Sequence, residues 1–137
     1  MGRVVFVLLL LLLFASPVQA TNYCAYAGVR LSEGQTATET LTIVVSSVQR
    51  VHIPGRPDNR PWCVEAWGSL GGGASSKIIE SPKLGQVRTS GYRVAYRGDR
   101  VGHDHFVLEH RWQKPYTNNA WYTGRVVYEV DVLAQPF

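Results

Sequence analysis

From residue 21 onward, short stretches of β-branched and aromatic residues are cut by Gly, Pro, Asn and Asp, and no apolar pattern with a helical period persists. That feature disfavours helical bundles and βαβ architectures and leaves antiparallel sheets. Thr38–Val45 (TETLTIVV) reads as a strand that becomes buried toward its end, and Ser47–His52 continues it or forms the next. Trp62–Trp67, Gln86–Thr89, Tyr92–Tyr96, Gly102–His110 and Arg125–Leu133 read as further strands, with Lys77–Glu80 leading into a turn at Ser81–Gly85. The proline-rich segment HIPGRPDNRPW, 52–62, is a loop, Gly68–Ser76 a flexible connection and Arg97–Arg100 a turn. About seven strands in one domain predict a two-layer antiparallel β-sandwich over residues 21–137.

The segment before it has a different character. MGRVVFVLLLLLLFASPVQA, residues 1–20, carries Arg3, an apolar run over Val4–Phe14, and then Pro17 and small residues ending at Ala20. The run is short for a bilayer span, so it reads as a cleaved secretory signal, with no membrane span following it. The expected location is secreted or periplasmic. In that setting Cys24 and Cys63, the only two cysteines, are expected to pair. The bridge would close a loop of about forty residues and contribute roughly 3–4 kcal/mol in the chain-entropy model.

Charge narrows the partners. Of fourteen Lys and Arg, Arg3 falls in the leader; the remaining thirteen face ten Asp and Glu, a balance of +3 that is no nucleic-acid footprint. Ten of those thirteen are arginine, which leaves an acidic ligand open. No GxSxG elbow, HExxH pair or phosphate-binding glycine loop occurs, so neither catalysis nor a cofactor is expected. Nothing in the spacing of Glu65, Glu80, Asp104 and Glu109 pairs their carboxylates. The tripeptide Arg97-Gly98-Asp99 coincides with a turn, where Gly and Asp have structural uses.

The most conspicuous chemistry is GHDHFVLEH, 102–110. Read as a strand, it turns Asp104, Phe106 and Leu108 toward the core and His103, His105, Val107 and Glu109 outward. Asp104 then needs donors, and backbone N–H groups of the preceding turn are expected to supply them. His110 has the opposite parity to His103 and His105 and is placed at the strand end. If this strand and the last one form a symmetric hairpin, His105 meets Glu129 and His103 meets Asp131 on the solvent face. These are cross-strand charge pairs or, in the sharper reading, a metal site made by His103, His105, Glu129 and Asp131. The hairpin loop, 111–124, is rich in aromatics. Arg111, Trp112, Tyr116, Trp121 and Tyr122, with Lys114, could bind a protein partner or stack on a glycan. Alternatively, Trp112 and Trp121 fold back across the hairpin as a cross-strand pair.

Residues 77–133 also resemble the closing half of bacterial immunoglobulin-like, cadherin-like domains of exported proteins. Pro82, Gly85 and Val87 match their Pro-x-x-Gly-x-Val turn and strand, and Val94 and Tyr96 the strand ending in tyrosine. Gly102, Asp104 and Phe106 match Gly-x-Asp-x-Phe, and Val126, Tyr128, Val130 and Val132 the valine-alternating strand. The resemblance implies an immunoglobulin-like sandwich in which Gly102, Asp104 and Phe106 are structural. Together with the absence of catalytic motifs, the expected role is a non-enzymatic protein-interaction or structural module of the bacterial cell envelope, with metal binding at the histidine face or glycan binding at the aromatic loop as the alternative.

Overall fold

Alternation decides which side chains meet, and the computed structural model, which describes residues 23–48, 62–67, 73–114 and 120–137, shows the outcome. All its regular structure is β: β1 (Cys24–Tyr26), β2 (Thr36–Val44), β3 (Cys63–Ala66), β4 (Ala74–Glu80), β5 (Gly85–Ser90), β6 (Arg93–Gly98), β7 (Gly102–Gln113) and β8 (Trp121–Leu133). One layer is a five-stranded sheet in the order β1-β2-β8-β7-β4, and the other a three-stranded sheet in the order β3-β6-β5. Residues 1–20, expected as a leader, and most of 52–62, expected as a loop, lie outside the described residues.

The sandwich expectation holds, with three corrections. Eight strands are described rather than about seven, because the three-residue β1 adds an edge. The sheets are not wholly antiparallel, since β2 runs parallel to β8 from Thr36 opposite Arg125 to Val44 opposite Leu133. Ala74–Ser76, expected as flexible connection, is the start of β4, paired with Trp112, Arg111 and His110. An edge strand needs only one partner, so its small polar residues are sufficient there.

Inward positions of both sheets form one core, which includes Leu41, Ile43, Val94, Phe106, Leu108 and the valines of β8. Its centre is a stack of three rings. Phe106 lies parallel to Tyr128 at 4.5 Å and to Tyr96 at 5.5 Å, so the stack ties β6, β7 and β8 across both layers. Cys24 and Cys63 are bridged with Cα atoms 5.7 Å apart, joining β1 of the larger sheet to β3 of the smaller.

One end of the sandwich is closed around Asp104, which is 3 % exposed. Its carboxylate accepts the backbone N–H groups of Lys83 (2.8 Å), Leu84 (2.9 Å) and His105 (3.0 Å), and the Tyr96 hydroxyl at 2.6 Å. The expected donors were those of the preceding turn. Two of the three backbone donors come instead from the β4–β5 turn, which the sandwich lays against the start of β7. Burial opposes ionisation, but these four bonds outweigh it and hold the carboxyl below its usual value. Gly85 and Gly102 make the approach possible. A Cβ on Gly85 would strike the Tyr96 hydroxyl, and Gly102, at φ 143°, passes Leu84 where a Cβ would come within 2.9 Å.

Candidate functional site

The opposite end is open. A cleft of about 520 Å³ enters between the sheets there, bounded by the β1–β2 connection at 28–32, the end of β3, the start of β4, the β5–β6 turn and β7 near Trp112. The β1–β2 connection is held over the sheet by Leu31, which sits where a Cβ on Gly124 would come within 2.8 Å.

The floor of the cleft is polar. Strand parity turns Glu65 inward and leaves its neighbour Val64 exposed. The Tyr128 hydroxyl donates to Glu65 Oε2 at 3.0 Å and itself accepts the Trp67 indole N–H at 3.0 Å. Behind them stands Glu39, the register partner of Tyr128 on β2 and only 1 % exposed. Its Oε1 accepts the Gly28 N–H at 3.0 Å, and its carboxylate can also accept from the acid form of Glu65. Burial raises the Glu65 carboxyl, the Tyr128 bond partly opposes this, and neighbouring Glu39 raises it further, to about 7. Glu65 is therefore divided between acid and carboxylate at neutral pH.

His110 completes the inner wall. Its parity, opposite to that of His103 and His105, holds, but its expected place at the strand end is corrected. Position 110 has the same parity as Phe106 and Leu108, and β7 continues to Gln113, so the imidazole is carried inward to 5 % exposure. Its Nδ1 lies 2.7 Å from Ser76 Oγ and its ring 4.8 Å from the Trp67 ring, while Nε2 has no partner. Burial depresses its pKa to about 4, so the ring is neutral at ordinary pH. The Ser76–His110 contact has a nucleophile–base chemistry, but no third group orients the ring from Nε2.

The histidine-rich outer face is a separate cluster. The register pairs His103 with Asp131 and His105 with Glu129, as the symmetric hairpin predicts. His103 Nδ1 is 2.9 Å from Asp131 and its Nε2 2.8 Å from Glu129. His105 Nδ1 is 3.1 Å from Glu129, and its Nε2 reaches Glu80 at 3.5 Å. The Asp131 and Glu129 hydrogen bonds raise the His103 pKa, and the bonds from His103 and then His105 lower that of Glu129. The arrangement is a chain of alternating imidazoles and carboxylates. Among the described residues no three potential ligands are placed to hold a metal ion. Both nitrogens of His103 already face carboxylates, so its lone pair is not presented to a shared centre.

The aromatic hairpin differs from its expected form. Positions 111–113 and 121–124 belong to β7 and β8 rather than to a loop, and Tyr116 lies outside the described residues. Trp112 pairs with Tyr122, rings 5.7 Å apart and tilted by 57°, not with Trp121. Trp121 is opposite Gln113, 40 % exposed, with the Arg111 guanidinium 4.7 Å from its ring centroid. The Lys114 ammonium lies 3.9 Å from the Tyr122 ring centroid. Trp112 lines the cleft from inside the hairpin, whereas Trp121, one register step away, is on the other face.

Sequence reasoning did not bring Glu39, Glu65, Trp67 and Ser76 together. One signal was present: Glu39 shares the inward parity of Leu41 and Ile43, and a carboxylate there has to be used or accommodated. No protein-family model matches the chain, and neither does any curated protein or solved structure.

Proposed function

We propose that this chain is an exported, non-catalytic binding module of the cell envelope, built on an immunoglobulin-like sandwich, and that the open-end cleft is its recognition site. The observation that carries the reading is the cleft itself. Its volume of about 520 Å³ lies within the size range of ligand sites. Around it, among the described residues, the Glu39 carboxylate has beyond Gly28 only the acid form of Glu65 as a side-chain donor, and His110 Nε2 has no partner. Interiors rarely leave polar atoms so short of partners, and here both lie at one end.

The immunoglobulin-like assignment is supported by strand order. β3-β6-β5 facing β4-β7-β8 follows the B-E-D and C-F-G division of those domains, with β2 added beside β8. The apolar residues carrying the sequence resemblance, from Val87 to Val132, all belong to the core or pack against it. Export is supported by the leader at 1–20 and agrees with the Cys24–Cys63 bridge. A glycan-stacking role for the hairpin is disfavoured, since Arg111 and Lys114 already occupy faces of Trp121 and Tyr122.

Site-specific photo-crosslinking in the producing cells tests the reading. A benzophenone side chain at position 92, at the cleft mouth, is expected to give a discrete adduct that the same group at position 131 does not give. Equal labelling from both positions, or none from either, refutes the cleft as the recognition site.

A further inference from the structure

Resting on that reading of the cleft, we infer that its ligand presents an N–H-bearing organic cation, a primary ammonium or guanidinium group, to Glu65 and His110 between the aromatic walls. Three features of the site converge on this chemistry. Glu65 is the carboxyl that lines the cleft, and Glu39 behind it adds a second acidic group close enough to raise it. An anion would be driven off by both, and an apolar group would leave Glu65 covered and poorly hydrogen-bonded.

His110 supplies an independent indication. It lines the cleft, is 5 % exposed and leaves Nε2 unused. In the tautomer whose Nδ1–H donates to Ser76 Oγ, the reverse of a nucleophile–base bond, Nε2 is an acceptor, which suits the N–H of an ammonium or guanidinium group. The neutrality that burial imposes on the ring removes the repulsion a charged imidazole would exert.

The walls are the third feature. Tyr26, Trp67, Tyr92 and Trp112 line the cleft, and aromatic faces attract cations. The protein's own cations at the mouth do not fill the site. Arg111 carries its guanidinium over Trp121, Arg93 lies 5.7 Å from the Tyr92 ring centroid, and Arg30 is exposed, where solvent screens its charge. The groups that act on Glu65 are Glu39 from β2, Tyr128 from β8 and Trp67 just after β3, and His110 from β7 lines the same cleft.

Binding of a cation must then be linked to a proton. Glu65 titrates at about 7, so it is about one-tenth ionised at pH 6 and about nine-tenths at pH 8. The test uses the mature protein, labelled with ¹⁵N, and follows the Trp67 indole N–H during titration with three molecules of one shape: phenethylammonium, neutral 2-phenylethanol and anionic phenylacetate. Phenethylammonium is expected to bind in preference to the other two, about tenfold more tightly at pH 8 than at pH 6. In Glu65→Gln the affinity at pH 8 should fall to the pH 6 level and the pH dependence should vanish. A glycine-flanked lysine peptide with a blocked N-terminus and C-terminus and a free ε-ammonium, run in parallel, separates a partner's side chain from a free amine by which binds more tightly.

If 2-phenylethanol or phenylacetate binds as well as the cation, the cation inference falls and the cleft remains a binding site. Cation binding that is indifferent to pH in the wild type also overturns the inference, whether or not Glu65→Gln folds. If none of the probes, peptide included, moves the Trp67 signal at millimolar concentration, the inference falls. The reading of the cleft as a recognition site is then decided by the crosslinking alone.

Discussion

The two ends of the sandwich solve the same problem in opposite ways. At each, a tyrosine of the central ring stack donates its hydroxyl to an inward carboxyl: Tyr96 to Asp104 at 2.6 Å, and Tyr128 to Glu65 at 3.0 Å. Asp104 also receives three backbone N–H groups and is held below its usual pKa. Glu65 is buried beside another carboxyl instead and rises to about 7. What separates them is the supply of donors, not burial alone. A tight turn laid across β7 closes one end, and a cleft is left at the other. A fully satisfied charge reads as architecture, and a partly satisfied one as a place for something else to bind.

The strongest way to break this contrast is to remove the closed end. Asp104→Ala strands four donors and should lower stability by about 4 kcal/mol in urea denaturation. Asp104→Asn keeps the shape but loses the charge and should cost about half as much. Because its folded pKa is depressed, the contribution of Asp104 is present above the ordinary carboxylate range and is lost as pH falls through the folded value. A loss below about 1 kcal/mol for the alanine variant would show that the turn holds without its anchor.

Opening the disulfide ranks next, at about 3–4 kcal/mol for a sequence separation of 39. Its place makes the effect local. Cys63 and Cys24 each precede by two residues a side chain lining the cleft, Glu65 and Tyr26. Hydrogen exchange after reduction should rise first in β1 and β3, with the amides of Lys83 and Leu84 still protected. Uniform acceleration would mean that the two ends are not independent.

How much of this was legible beforehand depends on how far apart in the chain the partners lie. The outer ladder was readable because β7 and β8 alternate cleanly and form one hairpin, so parity and symmetry together placed His103 opposite Asp131 and His105 opposite Glu129. Asp104 was legible as a buried acceptor, but its turn lies about twenty residues upstream and only the packed fold brings it near. His110 was legible in parity, opposite to His103 and His105, but β7 continues past it to Gln113, so it lies within the strand and not at its end. The Glu65–Tyr128–Trp67 chain spans 61 to 63 positions and joins two sheets, a pairing that no local periodicity encodes. The parallel β2–β8 pairing was hidden for the same reason.

A sharper test exchanges a charge for an amide at the open end. Glu65 rises from an ordinary 4.5 to about 7 on folding, so its ionisation opposes folding. That cost is absent below about 4.5, grows as pH rises through about 7 and is complete above it. Allowing for partial exposure, Glu65→Gln should raise stability at pH 8 by about 2 kcal/mol and leave it little changed at pH 4.5. The same chemical change at Asp104 lowers stability at pH 8. Denaturation of both variants at the two pH values gives opposite signs if donor supply is the deciding factor, and equal signs if burial alone governs.

The smallest effect belongs to the outer ladder, where carboxylates and imidazoles meet in full contact with water. The hydrogen bonds that His103 donates to Asp131 and Glu129 raise its pKa, so whatever it contributes is present below the ordinary histidine value and is lost as pH rises through the folded one. Glu129→Gln should bring the His103 midpoint down toward its ordinary value in an NMR titration while leaving the denaturation midpoint unmoved, because solvent screens exposed pairs. Glu65→Gln should not alter that titration, since Glu65 lies in the other sheet and faces inward. If Glu129→Gln instead lowers stability as much as Asp104→Asn, the outer face is a third structural anchor, and the contrast between a closed and an open end no longer describes the molecule.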